Sequence, residues 1–193
     1  MNDLLGANEL LLASKSPRRS DLLKSIGIPF TTISCEWDEE FDSSMDIHAV
    51  PQFLAYVKAL YVKDQIKDGQ IVLTADTVVI QDGRVLGKPK DKEDAERTLH
   101  HLSNNTHKVI TGTTFMSKSK TVNTSCMSVV DFMEISNDEI EQYIEEFKPF
   151  DKAGSYGIQD WIGICKIKSI KGSYHNIMGL PTHIVYEVLK AWN

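Results

Sequence analysis

The ten residues Ile71-Val72-Leu73-Thr74-Ala75-Asp76-Thr77-Val78-Val79-Ile80 are β-branched or apolar apart from one carboxylate. This composition is typical of a buried central strand, and the Asp82-Gly83 pair that follows it is a hairpin turn signal. Burying the Asp76 carboxylate is costly unless it is paired or binds a metal. Asp76 is therefore a candidate general base or metal ligand. The alternative is a strand-end Asp that bonds to a backbone turn.

Strands and helices alternate on both sides of this stretch. Short apolar runs predict further strands at residues 9–13, 30–34, 106–115, 121–133 and 162–170. Helical spacing of apolar residues and capping signals predict helices at residues 17–26, 48–66, 91–102, 136–147 and 180–192. Asp91 is the expected N-cap of one helix, and Ser136 to Glu139 forms a capping box for another. The alternation predicts an α/β fold with a mixed sheet.

Length and charge limit the classes of protein that the chain can belong to. Its 193 residues suit one domain or two small lobes that share a core. The net charge of −6 argues against a general nucleic-acid binder, although a small anion needs only a local basic pocket. The three cysteines are too far apart for a disulfide framework or a zinc knuckle. Without a signal peptide or a membrane-length apolar run, we expect a cytoplasmic protein with no membrane partner.

The segment Ser14-Lys15-Ser16-Pro17-Arg18-Arg19 joins a predicted strand to a predicted helix. The unpaired N–H groups and positive dipole end of a helix N-terminus favour an anion, and two hydroxyls and three cations stand beside it. The segment is therefore a candidate phosphate site. The alternative is an ordinary capped helix whose arginines face solvent.

Two later segments have the composition of ligand-binding loops. Gly87-Lys88-Pro89-Lys90 combines a glycine, which lets backbone approach a ligand, with cations that could neutralise phosphate. Asp151 to Gln159 contains two glycines, an aromatic residue and an amide that suits the edge of a nucleobase. Each segment could also be a plain surface loop. The sequence has neither G-x-x-x-x-G-K-[ST] nor G-x-G-x-x-G, so P-loop and Rossmann chemistry have no support.

Together these motifs resemble the Maf proteins, nucleoside triphosphate pyrophosphatases once described as septum-formation inhibitors. They occur in the order of that family and extend over nearly the whole chain. The matching segments are Leu11–Ser14, Ser16–Arg19, Ala55–Ala59, Ala75–Val79, Gly87–Pro89, Thr111–Gly112, Lys152–Gln159, Gly172–Tyr174 and Gly179–Pro181.

The resemblance implies hydrolysis between the α- and β-phosphates, which gives a nucleoside monophosphate and diphosphate. It implies a divalent cation, Mg²⁺ or Mn²⁺, and often a homodimer. It also implies a mixed, elongated central sheet flanked by helices, in a single domain (residues 1–193) of two lobes with an active-site cleft between them.

The resemblance further implies roles for individual residues. Asp76 would accept a proton, and Glu39, in an acidic loop, would assist the metal or the water. Asp76 and Glu39 would be the metal ligands. The residues that would contact phosphate are Ser14, Arg19, Lys58 and Lys88. Which glutamate of residues 36–40 acts is left open by the sequence.

Arg18, Thr77 and Gln159 match the positions that carry substrate specificity in the branch that acts on dTTP and UTP. The branch that acts on 7-methyl-GTP typically has an aromatic residue in place of Arg18. The resemblance therefore implies pyrimidine triphosphates, including modified ones, as substrates.

Two other functions remain open on the sequence. One is a non-catalytic regulator of cell division that senses a nucleotide in the same pocket. The other is a phosphatase that forms an aspartyl phosphate on Asp76, although that chemistry usually needs a second Asp two residues later, where Val78 stands.

Overall fold

The computed structural model describes residues 4–35, 41–42 and 44–192. The strands are β1 (Glu9–Leu12), β2 (Thr31–Thr32), β3 (Gln70–Gln81), β4 (Arg84–Leu86), β5 (Thr106–Met116), β6 (Thr121–Phe132) and β7 (Ile167–Lys171). The α-helices are α1 (Pro17–Ser25), α2 (Val50–Tyr61), α3 (Lys92–Leu102), α4 (Asn137–Phe147), α5 (Trp161–Lys166), α6 (Tyr174–Met178) and α7 (Thr182–Lys190). Short 3-10 turns lie at Lys63–Gln65, Pro149–Asp151 and Ala153–Ser155.

The strands form one sheet in the order β2-β1-β3-β5-β6-β7, with β4 paired to β3. β1 runs parallel to β2 and to β3, with Leu11 opposite Val72. β4 and β7 run antiparallel to β3 and β6. β3 has a strand on either side, as expected for a β-branched segment that is buried along most of its length. The prediction of an α/β fold with a mixed sheet is confirmed.

Three local signals in the sequence have the predicted structural effect. The Asp82-Gly83 turn between β3 and β4 has positive φ angles of 48° and 72°. The Asp91 side chain accepts a hydrogen bond from the Asp94 N–H at 2.7 Å and caps α3. Ser136 and Glu139 form the reciprocal hydrogen bonds of a capping box at the start of α4.

The prediction of a strand over residues 162–170 is wrong in its first half. Residues up to Lys166 belong to α5, and β7 begins only at Ile167. A short apolar run is compatible with either structure, and here tertiary packing decides. Gly163 of α5 lies so close to the Ile158 backbone that a side chain would overlap it. Two other elements are shorter than predicted. α2 ends at Tyr61, and β2 contains only Thr31 and Thr32.

The chain divides into two compact units. Unit 1 contains the described residues up to Asp76, Thr111–Cys126 and the described residues from Gly179 onward. It includes β1, α1, β2, α2 and α7. One of its buried clusters packs α2 against β1 and β3 through Leu11, Ala13, Ala59, Val62, Ile66, Val72 and Met116.

Unit 2 contains Thr77–Ile110 and Met127–Met178. One of its buried clusters joins α3, α4 and α5 through Ala95, Leu99, Leu102, Phe132, Ile135, Ile140, Tyr143, Ile144, Tyr156, Ile158 and Ile162. Within residues 4–35, 41–42 and 44–192, every helix is too short or too polar to cross a membrane.

Candidate active site

The segment between β1 and α1 folds around the Ser14 hydroxyl. Ser14 Oγ accepts hydrogen bonds from the Ser16 N–H at 3.2 Å and from Arg19 Nη1 at 3.3 Å. Pro17 opens the helix and Ser16 is its N-cap residue, although the Ser16 side chain does not cap it. The segment therefore does not form a conventionally capped helix.

The Arg19 guanidinium makes a second hydrogen bond besides the one to Ser14. Its Nε donates to the carbonyl oxygen of Gly179 at 2.8 Å, a contact between residues 160 positions apart. Bonds to Ser14 and Gly179 fix the plane of the guanidinium, whose forked donors suit a phosphate. No local pattern in the sequence points to Gly179 as a partner of Arg19, because the contact exists only in the folded chain.

Asp76 occupies the middle of β3 and is 6% exposed. Lys58 lies in the last turn of α2, and its Nζ donates to Asp76 Oδ1 at 2.9 Å. Both side chains are largely removed from water: the Lys58 side chain is 13% exposed and the Asp76 side chain is 9% exposed. Pairing with Lys58 offsets the cost of burying the carboxylate. A partner of this kind is what we expect for a charged residue in a buried strand. The alternative of an Asp bonded to a turn at the end of the strand is wrong.

Cys35 lies beside the helix that carries Lys58. Cys35 Sγ lies 3.8 Å from the Lys58 carbonyl oxygen. Burial raises the pKa of the Cys35 thiol, while the charges of Lys58 and Lys15 act in the opposite direction. Lys15 and Lys58 thus both act electrostatically on the Cys35 thiol.

Gly112 explains why a glycine stands in the Thr111-Gly112 motif of β5. A Cβ atom at this position would overlap the backbone of Pro51 and Gln52 at the start of α2. The close approach of helix to strand needs a residue without a side chain. Gly112 thus helps to seat α2, the helix that carries Lys58.

Unit 2 holds three of the predicted residues. Thr77 follows Asp76 on β3 and is partly buried, and Lys88 is exposed in the loop after β4. Gln159 is partly buried in the segment that precedes α5. The loops of Lys88 and Gln159 are tied together, because the Gly154 N–H donates to the Gly87 carbonyl oxygen at 3.1 Å.

The predicted residues are thus distributed over both units. Unit 1 brings Ser14 together with Arg19, and Lys58 with Asp76. Arg18 is also in unit 1, at the start of α1. The prediction for Glu39 lies outside the described residues. Among residues 4–35, 41–42 and 44–192, no group of three or more His, Cys, Asp or Glu side chains is arranged to hold a metal ion.

Comparison with known proteins identifies the family. A model of the Maf-like protein family matches residues 9–192. The dTTP/UTP pyrophosphatase of Porphyromonas gingivalis is 44% identical over 193 residues, which cover 98% of this chain and 97% of that protein. The proteins of the same name from Parabacteroides distasonis and Christiangramia forsetii are each 42% identical. The first alignment covers 94% of this chain and 95% of the relative, and the second covers 98% and 97%.

A solved nucleoside-triphosphatase (dITP/XTP pyrophosphatase) structure from Mycobacterium abscessus aligns at 14% identity with a TM-score of 0.39, over 64% of this chain and 72% of that chain. The family match and the three relatives, which align along nearly their full lengths, carry the assignment. The chain belongs to the Maf family.

Proposed function

We propose that this chain is a nucleoside triphosphate pyrophosphatase that hydrolyses dTTP and UTP, and modified pyrimidine triphosphates, to the monophosphate and diphosphate. Its membership of the Maf family supports the reaction, and the shared name of its relatives supports the substrates. The observation that carries the proposal is the buried Asp76–Lys58 pair, which places a proton acceptor beside a cation.

In this reaction a water oxygen attacks the α-phosphorus as its proton passes to the Asp76 carboxylate. The bond between the α-phosphorus and the bridging oxygen breaks, and the diphosphate leaves with the bonding electrons. Phosphoryl transfer depends mainly on positioning and on charge stabilisation. Lys58 and Lys88 neutralise charge on the phosphates, so each lowers the free energy of the transition state.

The remaining contacts hold and identify the substrate. Ser14 and Arg19 bind phosphate through the hydroxyl and the oriented guanidinium. Arg18, Thr77 and Gln159 discriminate between substrates. Gln159 is suited to a pyrimidine edge, because its amide both donates and accepts hydrogen bonds.

A divalent cation, Mg²⁺ or Mn²⁺, fits the chemistry of this site. Mg²⁺ is commonly held by one or two carboxylates together with substrate phosphate oxygens, and Asp76 is a largely buried carboxylate. Asp76 and Glu39 would hold the ion. When bound, it would supply positive charge against the phosphate oxygens.

We further propose that the enzyme acts in the cytoplasm, as a homodimer that needs no nucleic acid. The net charge of −6 supports independence from nucleic acid. Light scattering coupled to gel filtration measures the dimer directly, and a mass of one chain would exclude it.

The decisive experiment is a nucleotide panel with Mg²⁺ and, separately, Mn²⁺. dTTP, UTP, modified pyrimidine triphosphates, purine triphosphates and 7-methyl-GTP are compared, and diphosphate and orthophosphate are measured separately. We expect diphosphate as the first product, with dTTP and UTP preferred. A strong preference for 7-methyl-GTP would contradict the assignment of Arg18, Thr77 and Gln159. Orthophosphate as the first product would favour the aspartyl-phosphate chemistry, and no release from any triphosphate would favour the regulator.

A further inference from the structure

The turn that carries Gln159 is closed by two sets of hydrogen bonds. The Asp160 N–H donates to the Gly157 carbonyl oxygen at 3.1 Å, so residues 157–160 form a four-residue turn with Gln159 in third place. Tyr143 Oη accepts from the Gly157 N–H at 3.1 Å and donates to Asp160 Oδ2 at 2.9 Å. A single hydroxyl thus bridges the first and last residues of the turn.

Packing fixes the position of this hydroxyl. Tyr143 lies on α4, is 1% exposed, and belongs to the same buried cluster as Ile140 and Ile144. Its ring also stacks on Phe147, with centroids 5.1 Å apart. Burial raises the pKa of the Tyr143 phenol, so the hydroxyl keeps its proton and remains a donor to Asp160.

The Asp160 carboxylate is held from a second direction. Its side chain is 14% exposed, and Lys152 Nζ lies 3.8 Å from Oδ2. The same ammonium lies 2.8 Å from Asp151 Oδ1. Asp160 therefore rests between a buried hydroxyl and a cation, which restricts the carboxylate and the turn that ends on it.

The rest of the loop is also anchored within unit 2. Tyr156 Oη lies 2.8 Å from His107 Nε2 in the core, and the Gly154 N–H bonds to the Gly87 carbonyl oxygen. The backbone on both sides of Gln159 thus has fixed partners. The hydroxyl of Tyr143 bonds to both the first and the last residue of the turn.

We propose that Tyr143 and Asp160 are positioning residues for base selection, because the bridge between them fixes the direction in which Gln159 presents its amide to the nucleobase. The inference rests on the proposed function, in which Gln159 contacts the base. Hydrogen bonds weaken steeply away from ideal geometry, and a site built for one pattern of donors and acceptors rejects a base that leaves them unpaired. Loosening the turn therefore reduces discrimination between bases.

The test is Tyr143→Phe, which keeps the ring and its packing and removes only the hydroxyl. We expect KM for dTTP to rise about tenfold, the change that corresponds to one lost hydrogen bond. kcat should stay within about twofold, since the groups proposed to act on the phosphates are untouched. The ratio of kcat/KM for dTTP to that for dGTP should fall about tenfold.

Ser103→Ala is the matched control. Ser103 Oγ accepts from the Ile135 N–H at 2.8 Å and donates to the Ile135 carbonyl oxygen at 3.4 Å, so it too bridges two groups within unit 2. It lies outside the Gln159 turn. We expect a loss of thermal stability comparable to that of Tyr143→Phe, with the KM and selectivity of the unmodified enzyme.

A second pair of variants tests the bridge from its other end and serves if Tyr143→Phe does not fold. Asp160→Ala should reproduce the loss of selectivity. Asp160→Asn, which keeps an oxygen that accepts from Tyr143, should recover most of it. Equal losses in these two variants would overturn the hydrogen-bonded bridge.

The outcomes separate this inference from the proposed function. Unchanged KM and selectivity in folded Tyr143→Phe, or equal losses in Ser103→Ala, would overturn the positioning role while the pyrophosphatase activity stands. An unmodified chain that releases no diphosphate from any triphosphate would overturn both.

Discussion

Lys58 Nζ donates a hydrogen bond of 2.9 Å to Asp76 Oδ1, which joins a cation in the last turn of α2 to a carboxylate in the middle of β3. Both side chains are largely buried, so each charge depends on the other. Loss of one partner would leave the other as an uncompensated charge in a poorly hydrated site. The pair is therefore central both to the stability of unit 1 and to the proposed reaction.

Asp76→Asn should reduce diphosphate release from dTTP by about a hundredfold or more, since an amide cannot accept the proton of the attacking water. Initial rates with saturating Mg²⁺ measure this. Asp68→Asn is the control, because Asp68 is an exposed carboxylate paired with Lys118 at 3.1 Å in the same unit. Full turnover in Asp76→Asn would remove Asp76 from the proposed mechanism.

Lys58→Met should lower the free energy of unfolding by about 3 kcal/mol, because Asp76 then remains buried without its cation. Urea denaturation measures the change. The double variant Lys58→Met/Asp76→Asn should recover part of the loss, since it removes both charges. Lys118→Met breaks an exposed ion pair and should cost less than about 1 kcal/mol. An equally small cost for Lys58→Met would show that the buried pair does not stabilise the fold.

Arg19→Lys should raise KM for dTTP about tenfold, although the positive charge is retained. A lysine ammonium cannot reproduce the planar fork that bonds to both Ser14 and Gly179. Arg97→Lys is the control, since Arg97 is an exposed residue of α3 paired with Asp94. Similar kinetics for Arg19→Lys and Arg97→Lys would mean that charge alone matters at position 19.

His107 makes the stability of unit 2 depend on pH. Its ring is 1% exposed, and Nδ1 has no hydrogen-bond partner among the described residues. Burial lowers the pKa of His107 from 6.5 to about 4, so the folded chain keeps the ring neutral. Between these values the unfolded chain binds a proton that the folded chain does not. Stability therefore falls as pH drops from about 6.5 to about 4, by up to about 3 kcal/mol.

Urea denaturation at pH 7.5 and pH 5 measures this contribution. The double variant His107→Leu/Tyr156→Phe removes both partners of the buried hydrogen bond and should lose less stability than the unmodified chain over that interval. His183→Gln, at an exposed position, should keep the pH dependence of the unmodified chain. The same pH dependence in all three proteins would contradict the assignment to His107.

The sequence by itself determined the features that depend on neighbouring residues. The β-branched composition of β3, the Asp82-Gly83 turn, the Asp91 cap and the capping box at Ser136 each involve groups only a few positions apart. Their energetics are local, so the pattern alone predicted them. The order of the motifs along the chain also identified the Maf family before any contact was known.

Only the tertiary structure decided which of these residues meet. The bond from Arg19 to Gly179 crosses 160 positions and that from Lys58 to Asp76 crosses 18, and no periodicity encodes either. Packing also decided that residues 161–166 form a helix, because an apolar run suits a buried strand and a buried helix equally well. The sequence thus supplied the chemical groups, and long-range burial and pairing gave them their partners.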